Sequence, residues 1–302
     1  MTGAGRHRNV SDSSARYRID TRFILFLIVG VLGLGLTQAP VGATETPLNF
    51  GVLNQRSIAL TAQYWNPILQ YVSQKSGVPL QLKMGKTAPE TTAMTLRGEF
   101  AFVYTNHLFT PERIRLGYRV IARPGTPGVR AQIVVRDDSS WRTLADLNGR
   151  TVVFPSREAF LGYSVPIVAL QKAKVEVTPA FAGNQEGAMA QLQAKAVDAA
   201  AVNAQIMENY ARRENFPYRV LWSSEPYLDL PIMANPNVPR NKIEAVHRAF
   251  IGMAADPEGR KILEDGAALL KLSGPLGFIA ADNNDYANYQ EFHRQAAQSK
   301  DK

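Results

Sequence analysis

The 302-residue chain contains no cysteine. Its absence excludes a disulfide framework, a thiol nucleophile and a lipid-bearing cysteine, so stability must come from a buried core. Histidine is scarce: His7, His107, His247 and His293 are scattered and share no metal-ligand spacing. There is no HExxH, GxSxG or Walker-type loop. No catalytic residue, metal or cofactor is therefore expected, and the chain does not read as an enzyme. The net charge of +8 is not gathered on any one helix, which excludes a nucleic-acid reader. A long apolar run is missing too. The longest, Phe23–Leu36, has 14 residues, short of the ~20 that a transmembrane helix needs.

What is present begins with that run. Arg6, Arg8, Arg16, Arg18 and Arg22 precede it, and Val41-Gly42-Ala43 supplies small residues behind it. Residues 1–43 read as a secretory signal peptide cleaved near Ala43, with an uncleaved signal anchor as the alternative. The leader carries five of the 34 basic and two of the 26 acidic residues, leaving a mature charge of +5 over 259 residues. That length suits two lobes.

The remainder alternates strand and helix signals, which predicts an α/β fold with mainly parallel sheets. Strands are expected at 48–53, 80–84, 100–104, 118–122, 132–136, 151–154, 175–181, 197–202 and 218–222, with an extended segment at 230–234. Helices are expected at 60–72, 91–96, 187–196, 242–254, 257–264 and 286–297, with Pro67 opening or kinking the first. The economical arrangement is a first lobe of residues 46–125 plus 230–302 and a second of 130–223. Two crossing segments, near 123–131 and 223–230, would form the hinge.

Residues 143–166, TLADLNGRTVVFPSREAFLGYSVP, are the most informative stretch. An apolar strand opens through a polar loop into a helix start, where unpaired N–H groups and the helix dipole favour small anions. The pattern recurs where VDAAAV (197–202) runs into Asn203.

These features resemble the phosphate/phosphonate-binding (PhnD-like) branch of the periplasmic substrate-binding proteins of ABC transporters. The resemblance rests on Phe50–Leu53, Trp65–Leu69, Leu144–Val152, Gly162-Tyr163 with Pro166, Val197–Val202 and Leu221–Ser224. It implies a two-lobed flytrap of the type II periplasmic-binding-protein fold that closes on a small anionic or polar ligand and delivers it to a membrane permease. Where the family has a Ser-Thr-Ser run before Gly162, this chain has Ala159, Phe160 and Leu161. Gln185 stands for an expected histidine, no tyrosine occurs in 86–90, and Ala101 replaces an acidic residue. The loss of charge-assisted hydrogen bonds, each worth roughly 1.5–3 kcal/mol, predicts weak or absent phosphonate binding.

Eight residues are expected at the ligand. Tyr104, Thr105 and Asn106 end the third strand, with turn formation and capping as their alternative role. Arg157 is the only cation of its loop and an anion clamp or a solvated side chain; Tyr163 either contacts ligand or packs. Gln185 is the binding residue beside an N-capping Asn184, and Asn203 and Gln205 face the cleft from the second lobe. Asp198 reads as structural. The expected protein is a periplasmic monomer serving a permease. A second reading makes it a sensory adaptor for a membrane receptor kinase, and a phosphate-ester or acyl-transfer enzyme in the same cleft ranks last.

Overall fold

Two β-sheets carry the chain in a computed structural model, which describes residues 45–298. The expected signal peptide, residues 1–43, lies outside the described residues. The first sheet is begun by β1 (Leu48–Val52), α1 (Ile58–Ser76), β2 (Leu80–Lys83), α2 (Ala88–Leu96) and β3 (Phe102–Tyr104). A short α3 (Pro111–Ile114) and β4 (Arg119–Pro124) follow. The chain then crosses to the second sheet, built from β5 (Ala131–Arg136), β6 (Thr151–Phe154), α4 (Val165–Lys172), β7 (Thr178–Phe181), α5 (Gln185–Gln193), β8 (Ala199–Asn203), α6 (Ala204–Glu214) and β9 (Tyr218–Ser223). It returns through β10 (Ile232–Ala234), α7 (Arg240–Gly252), α8 (Pro257–Leu270), β11 (Phe278–Ala280) and α9 (Ala287–Gln298). Each sheet with its helices forms one lobe.

The strand orders are β11-β4-β10-β3-β1-β2 and β7-β6-β8-β5-β9. Both sheets are mixed, which corrects the expectation of mainly parallel sheets. Parallel pairing holds for β2-β1-β3 and β7-β6-β8, the βα units. The strands placed next to a crossing break it: β10 runs antiparallel to β3 and β4, and β5 runs antiparallel to β8 and β9. A chain that leaves one sheet directly into the other arrives without a crossover helix to reverse it, and antiparallel pairing needs none. The crossings are tied to each other by Val129 and Tyr227, whose N–H groups each donate to the other's carbonyl at 2.6 and 2.8 Å.

Local chemistry explains the elements that carry the cleft. In α1 the Ser57 hydroxyl accepts from the Leu60 N–H, and Gly77 at φ 70° ends the helix. Between them Trp65, Ile68, Leu69 and Val72 bury one face, and Pro67 lies inside the helix. Trp65 packs on Phe50, Tyr104 and Phe278 with ring centroids 4.9–6.0 Å apart, fixing the ends of β1 and β3. Every residue of β8 is buried, as expected of a central strand. Among the described residues no helix is long and apolar enough to cross a membrane.

Candidate functional site

Segments leaving the carboxyl ends of β1, β3, β6, β7 and β8 line one cavity of about 30 Å³ between the lobes. That is the space of about two or three waters. The first lobe supplies Asn54, Gln55, Asn106 and His107; the second supplies Ser156, Gln185, Asn203 and the turn from Ala159 to Leu161. Among the described residues no charged side chain lines it.

The turn is the distinctive part. Phe160–Ser164 form a π-helical turn that runs on into α4, and the Tyr163 and Ser164 N–H groups both donate to the Ala159 carbonyl, at 2.7 and 3.1 Å. Pro166, without an N–H, sits in the first turn of α4. The N–H groups of Phe160, Leu161 and Gly162 precede the first possible intrahelical bond and have no acceptor among the described residues. Beside them Ser156 is 3 % exposed, and its Oγ is buried without a partner. Phe160 and Leu161 line the cavity together with Ser156, and Gly162 follows them against Gln185, so free amides, a free hydroxyl and the positive end of a helix lie in one region.

Gln185 adds a third kind of donor. Its Oε1 accepts from the Asn203 N–H at 3.0 Å, which leaves Nε2 as the donor end, beside Gly162. A Cβ on Gly162 would lie 2.9 Å from that Nε2 and 2.6 Å from the Pro155 ring. Only glycine permits this close approach.

His107 is held neutral. Burial, with help from the Arg113 charge, lowers its pKa from 6.5 to about 3. The Thr92 hydroxyl donates to the Ala88 carbonyl at 2.9 Å, so it accepts from His107 Nδ1–H at 2.8 Å. Nε2 is then the unprotonated nitrogen.

A second cavity, about 60 Å³, shares Gln55 with the first and is lined by Arg56, Tyr64, Tyr104, Thr126, Gln205 and Asp229. Leu270, Leu276 and Phe278 give it an apolar wall. Burial pushes the Tyr64 phenol up to about 12 and the Tyr104 phenol well above its usual range. The Asp229 carboxyl is raised by burial, opposed by its bond from the Leu230 N–H and by the Arg56 and Arg123 charges.

The structure divides the eight expected residues. Asn106, Gln185 and Asn203 reach the first cavity, and Tyr104 and Gln205 the second. Thr105 lines neither: its Oγ1 accepts from the His107 N–H and shapes the turn. The Asn203 side chain caps α6, accepting from the Gln205 and Ile206 N–H groups. Arg157 and Tyr163 are not brought to either cavity. The Arg157 guanidinium lies over the Phe181 ring at 4.7 Å and reaches the Tyr163 hydroxyl at 3.4 Å, while Tyr163 packs edge-on to Phe154. Asn184 caps α5, and Asp198 accepts from the Thr151 N–H, both in structural roles.

Sequence reasoning missed Gln55, Arg56, Ser156 and Asp229. Gln55 and Arg56 follow β1 as Thr105–His107 follow β3, so the strand-end argument applied once more would have found them. Asp229 carries no such signal, because the return crossing brings it in through tertiary packing alone.

A family profile described as an ABC transporter, phosphonate, periplasmic substrate-binding protein matches residues 50–286. No curated protein matches the sequence. Among solved structures, a binding-protein component of an ABC phosphonate transporter from Pseudomonas aeruginosa is similar at 20% identity and a TM-score of 0.70, over 82% of this chain and 86% of that one. PhnD1 from Prochlorococcus marinus, solved with methylphosphonate, gives 17% identity and a TM-score of 0.71, over 83% and 98%. The glutamate-bound GluR0 ligand-binding core from Nostoc punctiforme gives 17% and 0.51, over 72% and 98%. At these identities the structural likenesses establish the two-lobed type II fold; the family rests on the match across residues 50–286. The chain belongs to the phosphonate-binding family of periplasmic substrate-binding proteins of ABC transporters.

Proposed function

We propose that the protein binds a small tetrahedral oxyanion of the phosphonate type in the cavity between its lobes and presents it to an ABC permease. The observation that carries this reading is the buried start of the π turn. The Phe160, Leu161 and Gly162 amides lack acceptors there, beside the orphaned Ser156 hydroxyl. The expectation of weak phosphonate binding rested on three missing hydroxyls and a missing histidine. Main-chain amides do not depend on side-chain identity, and each bond to a charged oxygen is worth about 1.5–3 kcal/mol. Gln185 Nε2 takes the place of a histidine donor without carrying charge.

Both lobes contribute, so the full set of contacts exists only when they are closed, and ligand shifts the population toward closure. The hinge is the pair of crossing segments, with residues 46–125 and 230–302 on one side and 130–223 on the other. Export by the leader, cleaved near Ala43, would deliver a monomer to the permease, and the absence of cysteine from the sequence supports a protein without a lipid anchor.

Calorimetry with methylphosphonate, phosphate and sulfate tests the reading. Methylphosphonate is expected to bind, and Ser156→Ala to weaken it about 10- to 150-fold, the equivalent of one charge-assisted bond. Absence of binding by all three would overturn it.

A further inference from the structure

The second cavity carries a mismatch between donors and acceptors. The Arg56 side chain is 14% exposed, and its Nε is buried without a hydrogen-bond partner. Among the described residues the acidic neighbour of that Nε within 4 Å is Glu186, at 3.9 Å, beyond hydrogen-bond reach, and Arg213 holds that carboxylate more closely at 2.9 Å. The Thr126 hydroxyl is buried and unpartnered. The Tyr64 and Tyr104 hydroxyls make no hydrogen bond among the described residues, and both phenols stay protonated, so they too are donors. Against these stands one carboxyl, Asp229, whose Oδ1 already accepts from the Leu230 N–H at 2.7 Å. Buried donors without acceptors are costly, and charged ones most of all.

We infer that this cavity receives a second acidic group of the ligand, a carboxylate on a short chain, with Arg56 as the residue that selects it. The inference rests on the oxyanion reading of the first cavity. Gln55 lines both cavities, so they adjoin across one residue that a ligand occupying both would have to displace, and the apolar wall of the second accommodates the intervening methylenes. A carboxylate offers only acceptors, which is what the Arg56 guanidinium, two phenols and the Thr126 hydroxyl lack. An ammonium group would bring three more donors into a space already facing Arg56, with the Arg123 charge also acting on its one acid. The ligand class is a phosphonate bearing a terminal carboxylate.

Calorimetry of the purified protein with methylphosphonate, 3-phosphonopropionate and 3-aminopropylphosphonate tests this. The carboxylate ligand is expected to bind at least tenfold more tightly than methylphosphonate, and the amine no more tightly. In Arg56→Gln the advantage of the carboxylate should fall below threefold. Arg56→Lys, which keeps the charge but loses the planar donor, should retain part of it, and thermal melts of both unliganded variants establish that they fold. Equal binding of the carboxylate and methyl ligands overturns the inference alone. So does a preference for the amine that Asp229→Asn abolishes. If none of the three binds while phosphate or sulfate does, the inference alone is overturned; if phosphate and sulfate fail as well, the oxyanion reading fails and the inference falls with it.

Discussion

At the scale of single residues, the first cavity is lined by groups that carry no charge. His107 shows the consequence most directly. Its folded pKa of about 3 lies below the 6.5 of the unfolded chain, so the fold refuses a proton that the unfolded chain accepts. The stability it permits is therefore complete above pH 6.5 and is lost as pH falls toward 3. The whole shift is worth at most about 5 kcal/mol, roughly 3 of which are gone by pH 4. Urea midpoints between pH 7 and pH 4 should fall less steeply for His107→Gln than for the wild type. Parallel declines would show that His107 is not the acid-sensitive group. Asp229 works in the opposite sense: its raised pKa means that the folded state loses stability as pH rises through it. Of these residue roles the sequence disclosed those that depend on place in an element. Asn184 as a cap, and Gln185 just behind it, follow from position alone; Asn203, expected only at the ligand, also caps α6. The orientation of Arg157 toward the Phe181 ring did not, because a loop side chain's direction is set by neighbours remote in sequence.

At the scale of elements, α4 with its π turn is the part on which the site depends. The replacement of a hydroxyl by Phe160 looked like a loss to ligand binding, yet the ring has its own task. It packs on Tyr289 at 4.1 Å, Tyr227 at 4.9 Å and Phe292 at 5.0 Å, joining the amide-bearing turn to α9 and to the return crossing. Phe160→Thr, the change toward the family's hydroxyl run, should empty that cluster. A cost of roughly 3 kcal/mol or more is expected, in line with large-to-small core substitutions, and would be read as a drop in the thermal midpoint. An unchanged midpoint with tighter methylphosphonate binding would show instead that the hydroxyl run is the better solution in this chain. Most strands and helices were legible from period and turn residues, because the strand ends and helix starts that form the cleft are local events. Strand order was not. Antiparallel insertion of β10 and β5 is decided by which sheet edge a returning strand meets, and β11 and α3 are too short to leave a periodic signal.

At the scale of the molecule, the lobes are held together on several sides of the cavity. The Glu186 N–H donates to the Gln55 carbonyl and the Ala88 N–H to the Gly183 carbonyl, each at 3.1 Å. Arg113 pairs with Glu158 at 3.0 Å, and Arg212 donates to the Lys271 carbonyl at 2.8 Å. The backbone bonds align the two mouths whatever the side chains are. The ion pair is partly exposed, so it contributes only about 0.2–1 kcal/mol and trims the open–closed equilibrium rather than setting it. Because apparent affinity scales with the fraction of closed, competent protein, Arg113→Gln should weaken methylphosphonate binding by at most about fivefold. The change should appear mainly in the off-rate, since Arg113 does not line the cavity. Small-angle scattering of the wild type should show a smaller radius of gyration at saturating ligand, and the variant should reach the same compact state at higher ligand concentration. A radius that stays constant while calorimetry records binding would mean that the lobes do not move. The cross-lobe bonds would then belong to a permanently closed body whose ligand enters by another route.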